Sequence, residues 1–217
     1  MCEPTKQEVV DAIMQGIISA QEDYKKADDS DIISEYCPEY YITVYIFQSL
    51  LKLKNKYKQG FQLSVEESVF KMRNKLGIRG RAPDITPPQG KCDLALKDQS
   101  DSPHVVIEVK KDPFDYQENV GRLSYLVSCG LECGVFASCL FVEVEDKNFQ
   151  EAQDKLERFT EDIHNYIQSF NRKWKYDLLV EKQIGEIQDF PEESKIYKWC
   201  PICFVIGKKR TSYTHPS

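Results

Sequence analysis

Apolar residues recur at helical spacing near the start of the chain. In PTKQEVVDAIMQGIISAQEDYKK, residues Val9, Val10, Ile13, Met14, Ile17 and Ile18 fall on one face. Thr5 and Glu8 have the spacing of a capping box, so a helix is predicted over 5–26. CPEYYITVYIFQSLLKLKNKY reads as a second helix with Pro38 in its first turn, although its aromatic and β-branched content keeps a strand in competition. GFQLSVEESVF alternates with period two and predicts a strand, followed by the loop LGIRGRAPDITPPQG. KCDLALKD and HVVIEVKK flank the polar turn QSDSP and predict a hairpin. YQENVGRLSYLVSC is read as a helix and CGVFASCLFVEV as a strand. Phe149, Ala152, Leu156, Phe159, Ile163, Tyr166 and Phe170 step by three and four, the cleanest helical pattern of the chain. WKYDLLVEK and IYKWCPICFVIGK predict late strands. The pattern predicts one α/β domain over residues 1–217, a central mixed sheet flanked by helices. An N-terminal helix (5–26) lies outside a core at 35–145, and a helix-and-strand extension follows at 146–217.

Composition narrows this picture slightly. At 217 residues the chain is long enough for a full core, and its apolar and charged fractions are those of an ordinary globular protein. The N-terminal stretch has no basic segment leading into an apolar run, and YYITVYIFQSLLKL is too short and too polar for a bilayer span, so the expected setting is cytoplasmic, without a membrane. Eight irregularly spaced cysteines then read as free thiols. Cys200 and Cys203 form half of a zinc-ribbon spacing that Cys129 and Cys133 complete poorly, so buried thiols are preferred to zinc.

Charge placement matters more than the net charge of −6. Acids concentrate at 20–39, while lysines alternate at 52, 54, 56 and 58. KMRNKLGIRGR carries Lys71, Arg73, Lys75, Arg79 and Arg81 without an acid, and is the preferred phosphate-contacting stretch.

Strand alternation points to the candidate chemistry. In HVVIEVKK, Val105, Ile107 and Val109 share one face and Val106, Glu108 and Lys110 the other. In KCDLALKD the same counting sets Asp93 with Ala95 and Lys97. Neighbouring antiparallel strands are therefore expected to gather Asp93, Glu108 and Lys110. Charges on a half-buried face are costly unless paired or bound to metal. Two carboxylates suit Mg²⁺, with Mn²⁺ as a substitute, and a nearby lysine suits a phosphate or an attacking water.

With Asp93 in GKCDLAL and Glu108-Val109-Lys110 in VVIEVKK, the chain resembles the restriction-endonuclease-like superfamily of PD-(D/E)xK nucleases over residues 35–145. The resemblance implies a Mg²⁺-dependent phosphodiesterase acting on nucleic acid, DNA ahead of RNA. It assigns Asp93, Glu108 and the Val109 carbonyl to the metal and Lys110 to catalysis. The additional glutamate that such nucleases draw from the preceding helix maps to Glu39, with Glu67 second and Glu35 third. The motif departs from the family at Cys92-Asp93, where proline usually precedes the aspartate, and Pro83-Asp84 leaves Asp84 as a decoy. Gln117, and with less weight Arg122 and Tyr125, occupy the helix that faces the site in such nucleases. His104 and His164 have no partner pattern and are read as structural. The phenylalanines of 149–170 are read as core, with a homodimer seam as the alternative. The rival to an enzyme is an inactive nuclease-fold protein that binds or regulates.

Overall fold

The computed structural model describes residues 4–27, 39–57, 60–77, 90–144, 149–192 and 195–209. Pro38, Lys58, Arg79, Arg81, Asp84 and Glu35 lie outside them. The described helices are α1 (Lys6–Ala27), α2 (Glu39–Tyr57), α3 (Val69–Lys75), α4 (Gln117–Ser128) and α5 (Phe149–Trp174). The strands are β1 (Gln62–Ser68), β2 (Lys91–Lys97), β3 (Pro103–Lys110), β4 (Cys133–Val144), β5 (Leu178–Ile184), β6 (Gln188–Glu192) and β7 (Lys195–Lys208). They form one seven-stranded mixed sheet in the order β1-β2-β3-β4-β7-β5, with β6 also on β7. Only β3 and β4 run parallel, and α4 lies in the crossover between them.

Each face of the sheet has its own core. On one, Val9, Ile13 and Ile17 of α1 and Ile42, Ile46 and Leu50 of α2 pack on Leu94, Ile107, Val109 and Val135. On the other, α3, α4 and α5 cover Ala95, Val106, Phe136 and Phe204. Strand β4 is buried on both faces, as its near-continuous apolar sequence requires. The stripe of α5 packs into this second core: Leu156, Phe159, Ile163 and Phe170 are all buried.

The capping box at α1 is formed. The Thr5 N–H donates to Glu8 Oε2 at 2.9 Å, and the Glu8 N–H donates to Thr5 Oγ1 at 3.2 Å. Segment 39–57 is a helix rather than a strand because its apolar residues at 42, 46 and 50 repeat by four, giving α1 a face to pack on. Gly16 makes that packing close: a Cβ there would sit 2.5 Å from Ile46 Cα. The predicted strand through Phe70 ends at Ser68, whose hydroxyl accepts the Lys71 N–H and starts α3. Strand β6 was not expected from the sequence.

Glu8 also ties α1 to the end of α2. Lys56, then Tyr57, then the Thr5 N–H hold its carboxyl down from 4.5 to about 2. Stabilisation from Glu8 is therefore complete above 4.5 and is lost as pH falls toward 2. Glu8→Gln is expected to lower the melting temperature at neutral pH, with the difference from wild type closing as pH drops through that window. Parallel thermal melts check this; a difference constant down to pH 2 would contradict it.

Candidate functional site

Asp93 stands where the sheet's regular alternation breaks. Strand β1 pairs Val65 with Leu94 and Glu67 with Cys92, skipping Glu66 and Asp93. Glu66 has a φ of 48°, the left-handed region that a glutamate rarely enters. Cys92 and Ala95 then both pack into the core under α4, although residues three apart on an unbroken strand face opposite ways. The last aligned pair between β2 and β3 is Leu94 with Ile107. Beyond it the Asp93 side chain takes over: its Oδ2 accepts the Val109 N–H at 2.7 Å. The carboxylate thus lies between the two strands, neither in one core nor in the other.

Glu39 and Lys110 meet beside it. Glu39 is the first residue of α2, and its Oε1 accepts from Lys110 Nζ at 3.1 Å. Its Oε2 accepts the Lys111 N–H at 3.4 Å. Lys110 ends β3, with its carbonyl held by the buried Ser138 hydroxyl at 2.6 Å. Burial raises the Asp93 pKa; the Val109 N–H opposes this, while the charge of Glu39 adds to it. For Lys110, burial works to lower the pKa, but Glu39 and then Asp93 and Glu108 outweigh it, so the ammonium is held charged. Glu39 and Asp93 both open on a cleft of ≈ 750 Å³ between α2 and edge strand β1.

Glu108 goes elsewhere. It is 2 % exposed and accepts from Arg122 Nη1 of α4 at 2.7 Å. Arg122 also donates to the Lys91 carbonyl at 3.1 Å and to Glu118 at 2.7 Å. Burial pushes the Glu108 carboxyl up to about 7, against the pull of Arg122 and with the charge of Asp93. The charges of Asp93 and Glu108 both act on Lys110, and that of Asp93 on Glu108, but the head groups take different partners. The Lys110 head group turns to α2, the Glu108 carboxylate turns to α4, and Asp93 lies between. Among the described residues, no group of three or more His, Cys, Asp or Glu side chains is arranged to hold a metal ion.

The remaining expected residues separate clearly. Glu67 is bound to the buried Lys97 at 2.6 Å, which leaves Glu39 as the helix glutamate beside Asp93. Arg73 is buried, 5.7 Å over the Tyr125 ring, so it is no surface phosphate contact. Lys75 pairs with Asp101, and Lys71 and Gln117 are exposed. Cys200 and Cys203 belong to opposite cores, so this pair does not close on one ion. Cys129 and Cys133 are free thiols at the end of α4 and the start of β4. His104 lies between Asp98 at 3.4 Å and Glu132 at 3.3 Å, and His164 is exposed on α5.

Sequence reasoning underweighted Arg122. The signal was present: QENVGRLSYLVS has one basic residue, placed four after Glu118, and an acid on a buried strand face requires a cation. Comparison with protein-family models, with curated proteins and with solved structures gave no match, so the functional reading rests on these residues and their geometry.

Proposed function

We propose that the chain is a restriction-endonuclease-like, metal-dependent nuclease whose site is the cleft mouth at Glu39, Asp93 and Lys110, acting in the cytoplasm on nucleic acid, DNA ahead of RNA. The observation that carries this reading is the convergence of those three side chains from a helix and two strands distant in sequence. The succession of elements from α2 to β4 supports it: helix, strand, the short helix α3, Asp-bearing hairpin strand, ExK strand, helix, parallel strand.

Asp93 and Glu39 fit a divalent ion. They are hard oxygen donors on an open cleft, and the charge of Glu39 weighs on Asp93, a burden that a cation relieves. Glu108 does not fit that ion while Arg122 holds it. A divalent ion in the cleft supplies charge neutralisation at the scissile phosphate and lowers the pKa of water. Lys110 contributes a fixed ammonium for a phosphate oxygen, Glu39 aims that ammonium, and the Val109 N–H fixes the Asp93 carboxylate.

The Glu108–Arg122 pair favours a second reading, an inactive nuclease-fold protein that binds without cutting. There the internal guanidinium supplies the positive charge that a metal ion would otherwise bring to this second carboxylate. The test is cleavage of single- and double-stranded DNA and RNA in Mg²⁺, Mn²⁺ or EDTA. Cutting in either metal that stops in EDTA is expected. Binding of strands without cutting in any metal would select the second reading.

A further inference from the structure

Helix α2 is apolar on two sides. Ile42, Ile46 and Leu50 are buried in the core, yet Tyr40, Val44, Phe47 and Leu51 line the open cleft. The second set steps by four, three and four, which makes a continuous stripe. From Tyr40 to Leu51 it runs about 16 Å at the helical rise. Tyr40 is 75 % exposed, and Val65 on the facing strand is 54 % exposed. Val44, Phe47 and Leu51 are half-buried, and Phe47 also packs on the first core, so the stripe is most open at Tyr40. Apolar area left half-exposed adds little to folding, whereas a ligand can cover it.

The character of the cleft narrows the ligand. Its lining acids are Glu39 and Asp93, close enough for the charge of Glu39 to act on Asp93, and Glu66, which pairs with Lys91 at 2.7 Å. The α2 wall beyond is aromatic and aliphatic, with Thr43 and Gln48 as its polar groups. The exposed Lys52 lies one turn past Gln48 in the same row. The volume of ≈ 750 Å³ lies within the range of about 300–1,000 Å³ for small-ligand clefts. An occupant must bring a phosphate or its bound cation to the mouth and flat apolar bodies to the wall. A duplex keeps its bases stacked inside, but an unpaired strand presents them to aromatic side chains.

We propose that the cleft takes single-stranded nucleic acid, with an unstacked base against Tyr40 and the adjoining phosphate at Glu39, Asp93 and Lys110. Its phosphate end rests on the nuclease reading above; its base end rests on the stripe alone. Stacking on one aromatic side chain changes affinity by about 5- to 150-fold.

Fluorescence anisotropy in Ca²⁺ tests this with three labelled probes of equal length: oligothymidylate, an abasic single strand and a duplex. Gels check that the strands stay intact. The wild type is expected to bind oligothymidylate tighter than either other probe. Tyr40→Ala is expected to weaken that binding by about 5- to 150-fold and to erase the preference over the abasic strand, with an unchanged melting temperature, since Tyr40 is exposed. Equal binding of base-bearing and abasic strands, tighter duplex binding, or no effect of Tyr40→Ala would overturn it. So would self-association abolished by Tyr40→Ala with no strand bound, which would give the stripe to a second copy of the chain. Base-dependent binding by a protein that cuts nothing in Mg²⁺ or Mn²⁺ keeps this groove and removes the hydrolysis. Duplex cutting indifferent to Tyr40→Ala does the reverse.

Discussion

Lys110→Ala is expected to slow metal-dependent strand cleavage by about 100- to 1000-fold while leaving the fold intact, the loss typical of one positioned charge on a developing oxyanion, about 2.7–4 kcal/mol. Its side chain is one-quarter exposed at the end of β3 and its partner Glu39 is one-third exposed, so truncation opens no core cavity. Main-chain anchoring of residue 110 by Ser138 does not depend on the side chain. The effect should fall on turnover and not on the metal concentration needed for half-maximal rate, because Lys110 meets phosphate and not metal. Single-turnover cleavage over a Mn²⁺ titration, with a thermal melt of the same preparation, reads both. Full activity in the variant would remove Lys110 from the chemistry.

The second large effect is on stability. Arg122→Ala is expected to destabilise the chain by about 3–5 kcal/mol, the cost of stranding one member of a buried ion pair. Arg122 and Glu108 side chains are 8 % and 2 % exposed, so water cannot replace the lost guanidinium at Glu108. The Lys91 carbonyl loses a donor in the same step, at the β2 end beside Asp93. The double replacement Glu108→Leu with Arg122→Met should recover much of the loss, because an apolar pair of similar volume carries no desolvation cost. Urea denaturation of the wild type, the single variant and the double variant measures it. A single variant within about 0.5 kcal/mol of wild type, the range of plain surface changes, would show that the pair is not the buried device described.

Much of the scaffold was legible because burial writes itself into period. The α5 stripe, the α1 stripe with its capping box and the β2–β3 hairpin all follow from spacing that tertiary contacts do not override. Helix α3 was hidden because Val69 stays in phase with Leu63 and Val65 of β1, while the turn depends on the Ser68 hydroxyl reaching Lys71. Strand β6 is short, contains Pro191 and exists because β7 is long enough to offer it an edge.

At the candidate site, the sequence names residues but not their orientation. Counting by twos set Asp93 with Ala95 and Glu108, and the break at Glu66 and Asp93 defeats that count. No local signal marks Glu66 for a positive φ, which sequence normally advertises with glycine or asparagine. The resemblance ranks Glu39 ahead of Glu67, but the engagement of Glu67 could not be read, since Lys97, the partner that claims it, lies on another strand. The same holds for Arg73, whose run of basic neighbours suggests a phosphate surface until Tyr125 arrives from α4 to cover it.

The central claim is that the cleft mouth is a metal-assisted phosphodiester-cleaving site organised by Asp93. Its most direct test is the Mn²⁺-dependent cleavage rate of wild type against Asp93→Asn, purified in parallel so that a contaminating nuclease contributes equally to both. The account predicts cleavage in the wild type that EDTA abolishes, and a rate at least about 100-fold lower for Asp93→Asn, of the order expected when one positioned electrostatic group is lost. Equal rates in the two preparations, or none in either, would contradict it.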